Sequence, residues 1–496
     1  MKVTLVGAGP GGRDLLTLRG AEVLQQAEVV VYDRLVSADI LDLIPPDAER
    51  VDVGKENCHH RVPQERINEI LVELAQTGKQ VVRLKGGDCY LFGRGGEECE
   101  YLLEHGIPFE VVPGVTSALA VPAYAGIPVT HRDYCSSVHI ITGHARAGKA
   151  LEIDFSALVR TRGTLVFLMG LTALPQIMQG LLAAGMEPDM PAAVISNGAR
   201  GSQKKVIAEI ATLQDKVQAA GLQSPALIVV GKVCTLSTAL DWFTPLPLHG
   251  KTIAVTRPRE RMGTLSGKLR RLGANVLECP CIETVPLENS ALLRYTLSEA
   301  WDWVVLTSPA GVSAMVHALT QAGTDLRAFY GMRFAVIGAG TAKALAQYGI
   351  QADLMPEVYD GAHLAQLLTQ TVQSGEKVLI LRAAQGTPEL TRSLREADIP
   401  FADIPTYETR YRTDCAALLQ QELTAGTLDA VTFTSASTVQ GFVQAVGAPT
   451  YTGLTALCIG EQTAAQASAY GMKVKVAKKA TIDSMIDCLL EEAEHV

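Results

Sequence analysis

The sequence predicts an α/β protein in which a two-lobed unit is followed by a second, duplicated two-lobed unit. Three observations lead to this prediction. Apolar strand-like stretches alternate with helical stretches, a proline-containing connector interrupts the alternation near the middle, and the part after it repeats one pattern. A length of 496 residues fits about three domains, and a hydrophobic content of 48% is typical of large cores.

Strands and helices alternate in the first half, as in mostly parallel sheets that are covered by helices. The predicted strands are 3–7, 28–32, 80–84, 109–112, 138–142, 164–168, 191–195 and 226–230. The predicted helices are 14–26, 64–77, 93–104, 116–125, 172–184 and 212–220. Pro245 and Pro247 then make a stiff, extended connector. The predicted first domain is 1–242, its lobes are about 1–112 and 113–242, and the linker is 243–250.

The second half contains two copies of one α/β pattern. Six residues return at a constant spacing of 125 residues. They are Arg257, Leu265, Leu269, Pro280, Glu283 and Thr284, followed by Arg382, Leu390, Leu394, Pro405, Glu408 and Thr409. Thr307-Ser308 likewise returns as Thr434-Ser435, and Ile337-Gly338-x-x-Thr341 returns as Ile459-Gly460-x-x-Thr463. A duplication of this kind predicts two lobes with a ligand cleft between them.

The composition disfavours several classes of protein. A net charge of -9 without a basic surplus disfavours nucleic-acid binding. No apolar stretch reaches the roughly 18 residues of a membrane span, and Met1 to Gly7 enters a strand without a cleavable signal, so we expect a cytoplasmic protein. The ten cysteines form no CxxC pair. Adjacent Cys58, His59 and His60 rarely converge on one ion, so we expect no metal.

The run RLKGGDCYLFGRGGEE, from Arg83 to Glu98, indicates a ligand site. It overlaps the end of a predicted strand, so Asp88 lies near a strand's carboxyl end, where open α/β sheets bind small molecules. Gly86 and Gly87 lack Cβ atoms and allow the backbone to approach a ligand closely.

Two glycine motifs suggest competing sites. Gly7 to Gly12 matches GxGxxG, and Asp33 follows the next strand, which is typical of a nicotinamide- or flavin-dependent oxidoreductase. Pro10 weakens this interpretation because it has no N–H for a pyrophosphate. Gly143 to Lys149 matches GxxxxGK, but Ala150 stands where a magnesium-binding hydroxyl belongs.

Several single residues permit two interpretations each. Thr116 and Ser117 either bind a polar ligand group or cap a helix. Asp33 and Lys55 either act as base and acid or form a surface salt bridge. Arg132 either binds an acidic substrate or extends along the surface.

Residues 1–242 resemble the uroporphyrinogen-III C-methyltransferase family. The matching motifs are VGAGPG at 6–11, YDRLV at 32–36, RLKGGD at 83–88, FGRGGEE at 92–98, PGVTSALAVPAYAGIPVTHR at 113–132, TGH at 142–144 and LMG at 168–170. The ordered set is specific enough to outweigh the GxGxxG match. One departure is Cys89, because the family usually has proline after GGD.

This resemblance implies two α/β lobes, a homodimer formed through this half, and S-adenosyl-L-methionine in the cleft, with S-adenosyl-L-homocysteine as product. The implied donor contacts are Pro10, Gly86, Gly87, Asp88, Leu91, Thr116, Ser117, Met169, Gly198 and Ala226. The resemblance also implies Asp33 as proton acceptor and Lys55 as proton donor. Arginines of this family face the carboxylates of the acceptor, and the candidates are Arg34, Arg83 and Arg132.

The second half, roughly 250–490, resembles the uroporphyrinogen-III synthase family. The matching motifs are VTRP at 255–258, LTSPAGV at 306–312, VIGAGTAKAL at 336–345, FTSAST at 433–438 and CIGEQTAAQA at 458–467. The implied domain is 251–496, with one lobe of 251–284 plus 407–496 and another of 285–406. The candidate substrate donors are Ser308, Thr341, Ser435, Ser437 and Thr463, for which helix capping is the alternative. Tyr407 matches a tyrosine in the family's cleft and is the candidate catalytic residue.

Together the two resemblances imply a bifunctional enzyme of tetrapyrrole biosynthesis. The synthase half is a lyase that closes hydroxymethylbilane to uroporphyrinogen III, and the other half methylates this product twice to precorrin-2, for sirohaem or cobalamin. Two alternatives stay open. The second half is a non-catalytic sensor or docking module, or the protein is an NAD-dependent oxidoreductase that uses Gly7 to Gly12 and Asp33.

Overall fold

Four five-stranded sheets form the framework of the residues that the computed structural model describes, which are 2–54, 62–144, 152–287, 299–386, 388–447 and 451–493. By internal contacts these residues separate into two units. Unit one is Met1–Ile253 with Gly267–Glu278, and unit two is Ala254–Ser266 with Cys279–Val496. Within the described ranges, no helix is both long and apolar enough to cross a membrane.

The first sheet is parallel throughout and has the order β3-β2-β4-β1-β5. Its strands are β1 Val3–Gly7, β2 Val29–Tyr32, β3 Glu49–Asp52, β4 Val81–Lys85 and β5 Phe109–Val112. The helices of this part are Leu18–Gln25, Ala38–Leu41, Gln64–Gln76, Gly95–Glu104 and Ser117–Tyr124. Gly7 pairs with Lys85, and Tyr32 pairs with Leu84. The loops that follow β1, β2 and β4 therefore leave the sheet at one edge.

The second sheet has the order β6-β7-β10-β8-β9. Its strands are β6 Val138–Thr142, β7 Thr164–Leu168, β8 Pro191–Ser196, β9 Lys204–Glu209 and β10 Ala226–Val230, with helices Phe155–Thr161, Leu174–Ala183 and Leu213–Ala219. Only β6 and β7 pair in parallel, whereas β7, β10, β8 and β9 pair antiparallel in that order. The prediction of mostly parallel strands is wrong for this sheet. The short connection between β8 and β9 makes a hairpin, which parallel strands cannot form.

The second half contributes the other two sheets, with the orders β12-β11-β18-β19-β20 and β13-β17-β16-β14-β15. The strands are β11 Thr252–Val255, β12 Asn275–Glu278, β13 Ile282–Pro286, β14 Trp303–Leu306, β15 Arg333–Val336, β16 Val378–Ala383, β17 Phe401–Tyr411, β18 Ala430–Phe433, β19 Thr455–Cys458 and β20 Lys473–Val476. The helices are Arg259–Arg271, Pro309–Gln321, Ala339–Ala346, Gly361–Thr371, Glu389–Glu396, Ala416–Ala425, Ala436–Val446, Glu461–Ala469 and Ile482–Ala493.

The predicted duplication is confirmed in unit two. The sequence β14, helix, β15, helix is repeated as β18, helix, β19, helix, with parallel pairing in both copies. Ser308 and Ser435 take the same position, because each accepts a backbone N–H at the start of its helix, at 3.0 Å from Gly311 and 3.3 Å from Thr438. Each hydroxyl therefore satisfies an N–H group that has no partner within its helix.

Candidate functional site

Three glycine loops meet at the carboxyl edge of the first sheet. Gly9 and Gly87 exchange backbone hydrogen bonds of 3.0 and 2.9 Å. A Cβ on Gly114 would lie 2.2 Å from the carbonyl oxygen of Gly87, and a Cβ on Gly7 would lie 2.4 Å from the nitrogen of Gly114. Such distances exclude any side chain at Gly7 and Gly114, so the loops after β1, β4 and β5 form one surface.

Gly87 itself faces open space. Its φ is +71°, a conformation that favours glycine, and nothing lies within 4 Å of the position that a Cβ would take. Both backbone polar groups of Gly87 are used by Gly9. At Gly87 the surface therefore consists of backbone without a side chain, and hydrogen bonds hold this backbone in place. Close contact with a ligand requires both properties.

Asp88 holds this surface together. One carboxylate oxygen accepts the N–H groups of Tyr90 and Leu91 at 2.9 and 3.0 Å, and the other accepts the N–H of Gly114 at 3.1 Å. The carboxylate thus ties the loop after β4 to the loop after β5. Its role in this geometry is to fix the loops on which a ligand would lie.

Cys89 lies behind the loop, in the core. Its side chain is buried within the apolar cluster of the first sheet. Burial raises the pKa of this thiol to about 12, so the side chain stays neutral at physiological pH. The cysteine therefore leaves the contacts of Asp88 with Tyr90 and Leu91 in place.

The other side of the candidate cleft carries residues with strained backbone. Met169 follows β7 with a φ of 55° and is 50% exposed. Asn197 and Ala199 follow β8 with φ values of 50° and 59°. A Cβ on Gly11 would lie 2.6 Å from the carbonyl oxygen of Ala199, so these loops of the two sheets approach closely. Non-glycine residues with positive φ are often found at ligand sites.

The other predicted donor contacts lie at strand ends and in loops of the first and the second sheet, and some of them have structural partners. The Thr116 hydroxyl caps the helix Ser117–Tyr124 by accepting the N–H of Ala118 at 3.2 Å. A Cβ on Gly198 would lie 2.1 Å from Val121, so close packing already requires a glycine there. Ala226 is the first residue of β10, and Leu91 packs against the core of the second sheet. Pro10 directly follows the bridge between Gly9 and Gly87, and Gly86 precedes it.

Asp33 follows β2 and belongs to a network of charges. Arg83 donates to Asp33 at 2.6 Å and to Glu98 at 3.1 Å, and Lys85 donates to Glu98 at 2.8 Å. Arg83 is 1% exposed and Glu98 is fully buried, whereas the side chain of Asp33 is 31% exposed. Asp33 is therefore the accessible carboxylate of an otherwise buried network. Glu98 was not singled out from the sequence, although it ends the run that begins at Arg83.

The three arginines proposed for acceptor carboxylates differ in position. Arg34 and Arg132 are exposed. Arg83 is directed at Asp33 and Glu98 instead of solvent, so in this geometry it positions the carboxylate of Asp33. Lys55 lies outside the described residues.

The first nucleotide-binding motif lacks the geometry that it needs. After Gly7 to Gly12 the chain makes a single 3₁₀ turn at Arg13–Leu15, and the helix begins only at Leu18. A dinucleotide site needs a helix N-terminus directly after the glycines. In the second motif, Gly143 packs against Gly170, with 2.5 Å from its Cβ position to the Gly170 Cα. Lys149 and Ala150 lie outside the described residues.

A cavity of about 370 Å³ lies at the opposite, amino-terminal edge of the first sheet. Lys2, Arg19 and Glu110 contribute to its lining, and Glu110 is paired with both cations. Because the charges are neutralised internally and Asp33 lies at the other strand end, we do not assign the ligand site to this cavity.

A second candidate site, in unit two, is centred on Tyr407. The pairing of β16 with β17 is in register up to Arg382 and Pro405, and then shifts so that Ala383 pairs with Tyr407. This irregularity changes the direction of the following side chains. Tyr407 packs among Ala310, Ala314 and Ala383, and its hydroxyl lies 2.8 Å from the Ser308 hydroxyl. Burial raises the pKa of Tyr407, so the phenol is neutral at physiological pH.

The five predicted hydroxyl donors follow strands of the same two sheets. Ser308 and Thr341 come after β14 and β15, and Ser435, Ser437 and Thr463 come after β18 and β19. The hydroxyls of Ser435 and Ser437 are 2.9 Å apart. Ser308 and Ser435 cap helices, which was the alternative interpretation, yet each hydroxyl also contacts a second hydroxyl.

No cluster of metal-ligand residues is found in the described ranges. Cys58, His59 and His60 lie outside these ranges.

Solved structures that are similar to the chain each match one half of it. A uroporphyrin-III C-methyl transferase from Thermus thermophilus, complexed with S-adenyl homocysteine, is 39% identical and covers 48% of this chain and 100% of that chain, with a TM-score of 0.41. A uroporphyrinogen III synthase from the same bacterial species is 20% identical and covers 50% of this chain and 100% of that chain, with a TM-score of 0.33.

Comparison with protein families and curated relatives divides the chain in the same way. The family of tetrapyrrole (corrin/porphyrin) methylases matches residues 2–214, and uroporphyrinogen-III synthase HemD matches residues 263–487. Siroheme synthase 2 of Klebsiella pneumoniae is 53% identical over 243 residues, which are 49% of this chain and 52% of that protein. The porphyrin biosynthesis protein HemD of Ruminiclostridium josui is 50% identical over 491 residues, which are 99% of this chain and 97% of that protein. The chain therefore belongs to the family of porphyrin biosynthesis proteins in which a tetrapyrrole methylase half precedes a uroporphyrinogen-III synthase half.

Proposed function

We propose that this protein is a bifunctional enzyme that makes uroporphyrinogen III and methylates it twice to precorrin-2. The observation that carries the proposal is the presence of both family matches in one chain, at 2–214 and 263–487. The two reactions are consecutive, because the product of the synthase is the substrate of the methyltransferase. The siroheme synthases similar to the first half favour the sirohaem branch as a destination of the product.

The carboxyl edge of the first sheet fits S-adenosylmethionine as methyl donor. The bound donor supplies a methyl group on a positively charged sulfur. Gly86 and Gly87 provide a surface without side chains, Asp88 fixes the adjoining loops, and Met169 extends from the opposite side. Holding two reactants in this way lowers the barrier chiefly by orientation.

Asp33 is the residue that we propose to accept the proton. The acceptor carbon forms a bond to the methyl group and gives up a proton, and the carbon–sulfur bond breaks with its electrons staying on sulfur. Arg83 donates to the carboxylate of Asp33 at 2.6 Å, and the side chain of Asp33 is still 31% exposed. A positioned carboxylate of this kind typically contributes 10²–10⁴-fold in rate, on an order-of-magnitude scale.

The acceptor side is built from exposed cations. Arg34 directly follows Asp33, and both Arg34 and Arg132 are exposed. Their guanidinium groups suit the carboxylates of a tetrapyrrole, since arginine binds carboxylates through two parallel hydrogen bonds. Lys55 remains our proposal for the proton donor, on the family resemblance alone.

In the synthase half we propose Tyr407 as the central residue. Its neutral phenol and the Ser308 hydroxyl are hydrogen-bonded at 2.8 Å, so one of the two donates to the other and the second keeps its O–H for a ligand. The hydroxyls of Ser435 and Ser437 form a second hydrogen-bonded pair in the duplicated copy. Hydroxyl donors of this kind suit a substrate that has many carboxylates and is cyclised by being held in one conformation.

We also propose a cytoplasmic homodimer formed through the methyltransferase half. Light scattering on the purified full chain tests the dimer, since a monomer at micromolar concentration would contradict it.

The methyltransferase proposal is tested by supplying uroporphyrinogen III and S-adenosylmethionine anaerobically and measuring S-adenosylhomocysteine together with the product mass. Two equivalents of S-adenosylhomocysteine for each dimethylated product are expected. The synthase is tested separately with hydroxymethylbilane, because without this activity the substrate closes spontaneously to uroporphyrinogen I.

A further inference from the structure

Two arginines of the synthase-like half lack a carboxylate partner in the described part of the chain. Arg257 lies two residues after the end of β11, and its Nε and Nη1 atoms are buried without a hydrogen-bond partner. Arg261 lies on the first turn of the helix Arg259–Arg271. The charges that influence the pKa of Arg261 are those of Tyr407 and the exposed Glu260. The charge that influences the pKa of Arg257 is that of Arg261. Buried donors without partners need an explanation, and a bound anion is one.

The internal duplication shows the same arginine with a partner. Arg382 is the counterpart of Arg257, and its Nε and Nη2 atoms donate to Asp403 at 2.8 and 2.6 Å. In the first copy the counterpart of Asp403 is Glu278, and Glu278 is held by Arg270 at 2.9 Å. The arginine of the second copy is thus paired with a carboxylate, whereas Nε and Nη1 of Arg257 have no hydrogen-bond partner among the described residues.

The electrostatic surroundings of Arg257 and Arg261 favour the binding of an anion beside them. Burial and the neighbouring Arg261 lower the pKa of Arg257 to about 10, and burial also lowers the pKa of Arg261. With a pKa of about 10, Arg257 remains protonated at neutral pH. A carboxylate beside them would offset the cost of burial and the repulsion between the two cations.

The pair lies beside the hydroxyl cluster described above. Arg261 acts electrostatically on Tyr407, whose hydroxyl is 2.8 Å from that of Ser308. The arginines come from the first copy of the duplicated pattern and Ser308 from a strand end of the other sheet. Arg261 therefore lies within electrostatic range of the Tyr407 phenol, as a subsite for a multiply charged substrate beside Tyr407 requires.

We propose that Arg257 and Arg261 form a subsite that binds one carboxylate side chain of the acidic substrate next to Tyr407. The proposal rests on the synthase function proposed above and adds a specificity-determining contact to it. Arg257 supplies a planar fork that accepts a carboxylate with two hydrogen bonds, and Arg261 supplies a second positive charge.

The test uses the full chain and the variants Arg257→Met, which removes the charge, and Arg257→Lys, which keeps the charge but not the fork. The KM for hydroxymethylbilane is expected to rise roughly 10- to 100-fold in Arg257→Met, with a smaller rise in Arg257→Lys and a smaller effect on kcat. Arg395→Met is the matched control, because Arg395 is an exposed arginine of the same half that lies over Phe401. Its KM is expected to stay at the wild-type value.

Binding of uroporphyrin III, a stable octacarboxylate, gives a second readout without turnover. Weaker binding in Arg257→Met than in Arg395→Met, with wild-type melting temperature, supports the subsite. If the wild-type protein cyclises hydroxymethylbilane and Arg257→Met has the wild-type KM and affinity, the subsite is wrong and the synthase function stands. If the wild-type protein fails to cyclise the substrate, the synthase function is wrong, and the binding comparison alone decides whether an acidic tetrapyrrole occupies the arginines.

Discussion

The substitution Gly87→Ala separates a ligand surface from an ordinary glycine turn. The backbone of Gly87 has a φ of +71°, and nothing lies within 4 Å of its Cβ position. Alanine in this conformation costs about 1–2 kcal/mol of folding stability, roughly 2–8 °C in the melting temperature of a unit of this size. The added methyl group collides with no residue nearby, but it points into the space that we assign to S-adenosylmethionine.

The matched control is Gly106→Ala. Gly106 has a φ of +68° and equally open surroundings, and it lies at the end of the helix Gly95–Glu104, before β5. Both variants should lose similar stability. Only Gly87→Ala should weaken the binding of S-adenosylhomocysteine, measured by isothermal titration calorimetry. A steric cost of about 1–3 kcal/mol corresponds to a loss of affinity of roughly 5- to 150-fold. Equal affinity in the two variants would refute the assignment of the donor site to the loop after β4.

Three further predictions concern single residues. Asp33→Asn keeps the side-chain volume and should keep the affinity for S-adenosylhomocysteine, but it should lower the methylation rate roughly 10²- to 10⁴-fold. The synthase reaction should be unchanged. An unchanged methylation rate would show that Asp33 is not the proton acceptor. Tyr407→Phe should lose the 2.8 Å contact with Ser308 and slow cyclisation, while methylation of supplied uroporphyrinogen III continues. The control Tyr330→Phe, at a residue that is 94% exposed, should match the wild type. Equal cyclisation rates in Tyr407→Phe and Tyr330→Phe would contradict this prediction. Burial raises the pKa of Cys89 from 9.0 to about 12. Because the thiol ionises first in the unfolded chain, its contribution to stability is fully present below pH 9 and is lost as the pH rises toward 12. Urea unfolding between pH 9 and 12 should therefore show a smaller loss of stability in Cys89→Ala than in the wild type, and the same dependence of stability on pH in both proteins would contradict this.

The sequence predicted the strands of the first half well because each buried strand is a short apolar run. Val3–Gly7, Val81–Lys85 and Ala226–Val230 match the predicted positions to within a residue. Two strands were not predicted, Glu49–Asp52 and Lys204–Glu209, since both are edge strands with several charged residues. The direction of pairing in the second sheet depends on contacts between distant segments, which local patterns do not record.

The roles of the charged residues were harder to predict than their positions. Arg83 lies in a strand that is buried on both faces, where alternation gives no sign of the direction of a side chain. Its contacts with Asp33 and Glu98 therefore became visible only in the fold. Arg257 illustrates the same limit, because only the three-dimensional comparison with Arg382 shows which of the two has a carboxylate partner.

The central claim is that the chain carries out two consecutive reactions. The most direct measurement is the product mass after anaerobic incubation of the purified full chain with hydroxymethylbilane and S-adenosylmethionine. We predict a dimethylated tetrapyrrole, with two equivalents of S-adenosylhomocysteine, and loss of the methyl groups alone in Asp33→Asn. Unmethylated uroporphyrinogen I as the sole product would contradict both proposed activities.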